Sequence, residues 1–177
     1  MFEYGRTAPS AILATGIVLA SSLAFAQQGP GDPAAASTEE NGKSYDAGGT
    51  PTFKIEPDGT VDWFIFSGYL RYHADCHVCH GPDGEGSSYA PGLVDSAARL
   101  DYGTFMEVVA SGRQNVGAAS QNVMPAFGTN LNVMCYLDDI YIYLRARAQG
   151  ELPRGRPGKR VDKPPKATEE EAACMGR

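Results

Sequence analysis

The clearest periodic signal lies in "NVMCYLDDIYIYLRARAQG" (132–150). Val133/Met134, Leu137, Ile140/Tyr141, Leu144 and Ala148 recur at three- and four-residue intervals, the spacing of one helix face. Asp138 and Asp139 come early, Arg145 and Arg147 come late, and Gly150 follows. That order suits the helix dipole and a C-terminal stop, so the pattern predicts one continuous helix. A helix is also expected in "WFIFSGYLRYHAD" (63–75), with Asp62 as N-cap and Ile65, Gly68, Tyr69 and Tyr72 on its buried face. Glycine in mid-helix costs about 1 kcal/mol against alanine. Either another helix comes close at Gly68, or the glycine is merely tolerated. A third helix is expected in "TFMEVVASG" (104–112), with Thr104 and Glu107 as a capping-box pair and Gly112 as its stop. Ahead of these, "FKIE" reads as a short extended piece and "PDGT" (57–60) as a turn.

The ends follow another pattern. Arg6 precedes the apolar run "AILATGIVLA" (11–20), and Ala24-Phe25-Ala26 forms an A-x-A cleavage site. Residues 1–26 therefore read as a signal peptide, since the run is short for a membrane anchor. No later apolar stretch reaches spanning length, so no membrane span is expected in the mature protein. Residues 27–52 lack apolar periodicity and read as a disordered leader. The main domain is expected over 53–150. Residues 151–177 form a tail that begins basic and proline-rich and ends in "TEEEAAC".

Composition bounds the function. The 177 residues suit one domain with tails, and 21 Gly with 12 Pro point to much irregular structure. The net charge of −6 argues against nucleic-acid binding. Export implies an oxidising, periplasmic setting, where spare cysteines tend to pair.

The stretch "HADCHVCHGPDGEG" (73–86) holds two of the four cysteines and all three histidines. Within it, Cys76-His77-Val78-Cys79-His80 is a C-x-x-C-H pentapeptide. Two thiols one helical turn apart can add across the two vinyl groups of a haem, and the adjacent His80 can then bind the iron axially. A structural zinc site would need four ligands, and no second C-x-x-C or H-x-x-H pair appears. A thioredoxin-type pair would follow a strand in a βαβ pattern, not an amphipathic helix. A Cys76–Cys79 disulfide would leave His80 unexplained. The reading is one covalent haem c. His77 then faces solvent, and His73 hydrogen-bonds at the domain surface.

The sixth ligand is sought among Met106, Met124, Met134 and Met175. Met106 and Met134 read as core side chains on helices, and Met175 lies in the tail. Met124 stands in the loop "VMPAFG" directly before Pro125, which disfavours helix there and stiffens the chain. It is the candidate axial ligand. A carbonyl near Pro91, in "YAPGLVDS", is a candidate acceptor for the His80 Nδ1–H, a bond that would orient the ring. Arg113 is either a partner for a haem propionate or a solvated arginine. Cys135 and Cys174 remain, and they form either a disulfide that pins the tail or two free thiols.

From Gly68 to Gln149 the chain resembles the class I c-type cytochromes. The matching pieces are "GYLRYHADCHVCHG", "APGL", "VMPAFG" and "YLDDIYIYLRA". The resemblance implies an all-α fold, with first and last helices crossed at right angles around one haem and irregular extensions at both ends. Gly68 would be the contact glycine, with Tyr72, Ile140, Tyr143 and Leu144 packed around it. "DGTVDWFIFSGYLRYHADCHVCHGPDGEGSSYAPGLVDS", "VMCYLDDIYIYLRAR" and "RGRP" further resemble the four-cysteine, methanol-metabolism-related cytochromes. That match includes the extra cysteine pair. It implies a periplasmic one-electron acceptor for a lanthanide-dependent methanol dehydrogenase built on pyrroloquinoline quinone, with a downstream cytochrome or oxidase as the next acceptor.

Two rivals stand beside this reading. A peroxidase-like haem enzyme would leave the axial site open, so Met124 would not be a ligand. A cytochrome subunit of a larger respiratory complex would use the basic stretch Arg154 to Lys166 as a docking strip.

Overall fold

The computed structural model describes Met1 and residues 36–117 and 120–177. The expected signal peptide beyond Met1 and the start of the leader lie outside the described residues. The core rests on two helices, α1 (Trp63–Asp75) and α6 (Leu137–Ala148). Asp62 caps α1 as its pattern requires, accepting from the Ile65 N–H at 2.8 Å. The helices meet at Gly68. A Cβ there would lie 1.9 Å from the Asp139 carbonyl oxygen and 2.8 Å from the Tyr143 Cβ. Close approach is therefore the reason for the glycine. Ile65, Tyr72, Ile140, Tyr143 and Leu144 are buried around the contact.

Shorter elements surround this pair. They are α2 (His77–His80), α3 (Leu93–Ala97), α4 (Tyr102–Ser111), the hairpin β4 (Arg113–Gly117) and β5 (Ser120–Met124), α5 (Leu131–Met134) and α7 (Pro165–Cys174). Gly112 ends α4 as expected, but the cap is Asp101, not Thr104. The Asp101 carboxylate accepts from both the backbone N–H and the hydroxyl of Thr104 at 2.8 Å. The helix begins two residues early because a carboxylate was already placed to satisfy its third N–H. The expected helix over 132–150 is in fact two. Helical geometry breaks at Tyr136 (φ −127°, ψ 18°), between α5 and α6. Periodicity misses the break because Val133, Tyr136, Leu137 and Ile140 are all buried and keep one phase across it.

The leader needs correction over 36–52. It folds as a three-stranded antiparallel sheet of β1 (Ala36–Glu40), β2 (Lys43–Asp46) and β3 (Pro51–Thr52). Asn41 (φ 54°) and Gly42 (φ 84°) form the two-residue turn between β1 and β2. Asn-Gly is the dipeptide that such a tight hairpin favours. Charge holds the sheet to α6. Lys43 Nζ lies 2.9 Å from Asp138 and 3.5 Å from Asp139, and Arg145 pairs with Asp46 at 2.8 Å while donating to the Pro51 carbonyl. Arg145 is only 1% exposed, so it is no solvated dipole partner at a helix end. Arg145→Ala should lower stability by about 3 kcal/mol, because it strands the Asp46 carboxylate and empties a buried space. Urea denaturation measures this, and a loss under about 1 kcal/mol would deny the pair its role.

The tail also departs from an irregular extension. Leu152 is buried, and residues 159–161 run beside Val61, with the Val61 N–H donating to the Lys159 carbonyl at 3.1 Å. Arg160 lies over the rings of Trp63 (5.0 Å) and Phe66 (4.7 Å), and Arg156 lies over Phe66 at 5.2 Å. Cys174 on α7 is joined to Cys135, with 5.8 Å between the Cα atoms. The bond closes a loop with a sequence separation of 39 residues. Replacing both cysteines with serine should cost about 4 kcal/mol on chain-entropy grounds, read as a lower thermal midpoint. Among the described residues no helix is long and apolar enough to cross a membrane.

Two carboxyls, Asp62 partly buried and Asp139 buried, set an acid dependence. Burial raises Asp62 to about 6 against the Ile65 and Lys54 N–H groups that favour its charge. Burial likewise raises Asp139 to about 6 against Lys43 and Ser67. Both start from 3.8, so the folded state binds these protons more tightly than the unfolded chain. Stability should therefore rise as pH falls from about 7 to about 5. Asp46 and Asp83 act oppositely. Burial alone would raise them, but Arg145 with the Thr50 and Gly48 N–H groups holds Asp46 low, and the Gly155 N–H with His73 holds Asp83 low. Their contribution is lost as pH drops below 3.8. Melting curves across pH should peak at mildly acid pH, and a peak at or above neutrality would contradict these shifts.

Candidate functional site

The chain turns at Cys76, which ends α1 and opens α2, with the Tyr72 carbonyl accepting its N–H at 2.9 Å. One turn follows, in which the Cys76 carbonyl accepts from the N–H groups of Cys79 (3.2 Å) and His80 (2.9 Å). Cys76 and Cys79 thus sit one helical turn apart, both with free thiols. Cys76 is half-buried and Cys79 is exposed.

His80 is buried. Its Nδ1 lies 2.9 Å from the Pro91 carbonyl, the acceptor anticipated from "YAPGLVDS". A carbonyl only accepts, so in the neutral ring Nδ1 carries the proton and Nε2 keeps its lone pair. This is the tautomer a metal-binding histidine needs. The segment after His80 is folded tightly back. A Cβ on Gly81 (φ 73°) would lie 2.1 Å from the Gly86 carbonyl oxygen, and the Gly86 N–H donates to the His80 carbonyl at 2.8 Å. The buried Tyr72 hydroxyl donates to the Gly81 carbonyl at 2.5 Å, with the His80 carbonyl at 3.2 Å.

Asp83, in the 3-10 turn Pro82–Gly84, was not anticipated as a structural centre. It is buried, with φ 57°, and its Oδ1 accepts from the Gly155 N–H (3.1 Å) and the Tyr143 hydroxyl (3.3 Å). Its Oδ2 lies 3.6 Å from Arg154 Nε, and its carbonyl accepts from Arg147 Nε at 3.3 Å. Asp83 so joins the turn after His80 to α6 and the tail. The adjacent Pro-Asp-Gly only signals a turn, and nothing in it announces partners 60 or more residues away.

Met124 is the last residue of β5, not part of an open loop, and it precedes Pro125. It is half-buried against the core, and it pairs in register with Arg113 of β4. Arg113 itself is exposed. Gly112 lets the strand end come close, because a Cβ there would lie 2.6 Å from the Met124 carbonyl oxygen. Of the other methionines, Met134 is half-buried against the core and Met175 ends α7. Met106 is 37% exposed and so is not the core side chain expected, because α4 buries Phe105 and Val109 instead. His77 is exposed. His73 is partly buried, its Nδ1 2.9 Å from the Tyr69 carbonyl.

The donor set fits a covalently held haem better than its rivals. Two free thiols lie one turn apart, beside a buried imidazole whose Nδ1 faces the Pro91 carbonyl. Among the described residues no group of three His, Cys, Asp or Glu side chains is disposed to hold a bare metal ion. Burial pushes the Cys76 thiol up to about 12, the opposite of what a reactive dithiol pair needs.

Known proteins point the same way. The chain is 59% identical over 136 residues to cytochrome c-553I of Paracoccus denitrificans, covering 77% of this chain and 60% of that protein. It is 38% identical over 96 residues to cytochrome c-555 of Methylococcus capsulatus, covering 54% of this chain and 72% of that one. Its structure matches the crystal structure of the c-type cytochrome XoxG from Methylobacterium extorquens AM1 with a TM-score of 0.75 and 56% identity, over 80% of this chain and 87% of that chain. No protein-family model matches. With a C-x-x-C-H turn that ends in a buried histidine held by the Pro91 carbonyl, and relatives of this identity and coverage, the chain belongs to the class I c-type cytochromes, electron carriers that hold haem c covalently.

Proposed function

We propose that this chain is a periplasmic monohaem cytochrome that accepts single electrons from a pyrroloquinoline quinone-dependent methanol dehydrogenase of the lanthanide type. It passes them to a downstream cytochrome or oxidase. Cys76 and Cys79 hold the haem through thioethers, and His80 Nε2 and Met124 Sδ bind its iron. The observation that carries the site is the 2.9 Å contact from His80 Nδ1 to the Pro91 carbonyl, which orients the ring and leaves Nε2 free. Bound haem supplies a one-electron couple, and a ligand on each face favours electron transfer over small-molecule binding. Arg113 pairs in register with Met124, which supports its reading as a partner for a propionate. The methanol dehydrogenase rests on the resemblance to methanol-metabolism-related cytochromes and on the likeness to XoxG. Export rests on the apolar run 11–20 and Ala24-Phe25-Ala26.

Stopped-flow mixing tests the partner. A methanol dehydrogenase reconstituted with a lanthanide should reduce this cytochrome faster than it reduces an unrelated acceptor, and the advantage should shrink with salt. Equal rates for both acceptors would remove the partner and leave the haem assignment standing.

A further inference from the structure

We propose that Asp83 is a positioning residue for His80: anchored on the tail and α6, its side chain holds the turn after His80 against Pro91 and so keeps the Pro91 carbonyl on His80 Nδ1. This rests on the reading of His80 as an iron ligand given above. The segment from Gly81 to Gly92 sets the orientation of the histidine, yet apolar burial gives it almost no anchor. Of its residues only Gly81, Asp83 and Gly84 are buried, and Asp83 alone of these has a side chain. That side chain is a carboxylate, so it holds to the core through hydrogen bonds.

The anchor has several strands. Asp83 Oδ1 accepts from the Gly155 N–H of the tail at 3.1 Å and from the Tyr143 hydroxyl of α6 at 3.3 Å. His73 Nε2 of α1 lies 3.6 Å from Oδ1, and Arg154 Nε lies 3.6 Å from Oδ2. The backbone of the turn is held as well. Arg147 Nε donates to the Asp83 carbonyl at 3.3 Å, and the same guanidinium reaches the Glu85 carboxylate at 2.5 Å and the Leu152 carbonyl at 2.6 Å. Asp83 sits at φ 57°, a conformation costly to most side chains. A carboxylate kept there points to the groups it binds.

The turn reaches Pro91 through backbone contact. The Gly86 N–H donates to the His80 carbonyl at 2.8 Å. A Cβ on Gly86 would lie 2.8 Å from the Gly92 nitrogen and 3.3 Å from the Pro91 carbonyl carbon. A Cβ on Gly92 would lie 3.2 Å from the Glu85 carbonyl oxygen. The Ser87 N–H donates to the Ala90 carbonyl at 2.9 Å, closing the loop that leads to Pro91. The contacts thus run unbroken from Gly155 and Tyr143, through Asp83 and Glu85–Gly86, to the carbonyl 2.9 Å from His80 Nδ1. A carbonyl on that N–H makes the imidazole a stronger electron donor, which favours oxidised iron. Loosening the turn should therefore raise the reduction potential and open the Nδ1 proton to solvent.

The test uses the haem-loaded full chain beside D83G and D83N. Glycine accepts the positive φ, so D83G deletes the side chain without backbone strain. D83N keeps an oxygen for both donors and loses only the charge, and asparagine also tolerates this φ. Exchange of the His80 Nδ1 proton is followed by NMR in the reduced protein, and the midpoint potential is measured. D83G should exchange at least about tenfold faster than the parent, and D83N should stay near the parent. Both variants lose a negative charge, so both potentials should rise, with D83G above D83N. Parent-like exchange in D83G would overturn the inference even if that protein melts lower, because Asp83 would then only stabilise the fold. Equal potentials in D83G and D83N would overturn it too. If D83G yields no haem-loaded protein, Y143F decides: it removes the hydroxyl donor to Oδ1 and should also speed the exchange, and an unchanged rate would overturn the inference. A parent protein whose His80 ring shows no iron-shifted resonances when oxidised would overturn the ligand reading itself, whereas the outcomes in the variants bear only on Asp83.

Discussion

A Gly68→Ala protein is expected to lose at least about 3 kcal/mol and to fold poorly at growth temperature. The added methyl would lie 1.9 Å from the carbonyl oxygen of Asp139 and 2.5 Å from its carbon. Both are backbone atoms in the first turn of α6, so no rotamer change relieves the overlap. The helices must part by more than an ångström, and that loosens the packing of Tyr72 against Tyr143 (5.5 Å) and Tyr69 against Tyr143 (5.7 Å). It also disturbs Asp139, whose buried carboxyl depends on Lys43 at 3.5 Å. Alanine's better helix propensity returns only about 1 kcal/mol. Since small domains are stable by roughly 5–15 kcal/mol, the loss is a large fraction of the whole. Thermal melting of the haem-loaded protein measures it. A midpoint within a few degrees of the parent would mean that the crossing is not as close as described.

Met124→Ala tests the second face of the proposed haem site. With the thioether gone, the reduced protein should bind carbon monoxide readily, and its potential should fall by the order of 0.1 V, within the ~0.8 V that axial ligands span. The covalent haem and its mass should be retained, because Cys76 and Cys79 are untouched. The site can tolerate the change, since Met124 ends a hairpin strand and is only half-buried. A parent protein that already binds carbon monoxide as readily as Met124→Ala would favour the open-site, peroxidase-like reading.

The two variants probe regions that were legible to different degrees. The α1–α6 contact could be read because its signal is local. A helix period, a cap at Asp62 and one glycine out of place mark the buried face whatever surrounds it. The C-x-x-C-H turn was legible for the same reason, its chemistry being complete within five residues. The Asn41-Gly42 turn was equally local, yet the polar composition around it reads as a leader. Polar strands hide well when what they pack against is charge. Arg145 and Arg147 show the limit more sharply. Their place near a helix end suits the dipole, and nothing nearby tells that Asp46, Pro51, Asp83 and Leu152 will enclose them.

By itself the sequence determined α1 with its capped start, the region of α4, the helical stretch that holds α5 and α6, the glycine contact and the C-x-x-C-H turn. Each depends on residues within one or two turns of one another, so backbone geometry and side-chain period suffice. Only the tertiary structure decided that α5 and α6 part at Tyr136, that residues 36–52 form a sheet, and that Asp83 binds the tail to the loop after His80. The seating of the sheet on α6 and the hold of Asp83 on the tail rest on ion pairs and hydrogen bonds between positions 60 to 100 residues apart. Such partners are chosen by how the finished core brings segments together and excludes water, and no local pattern carries that information.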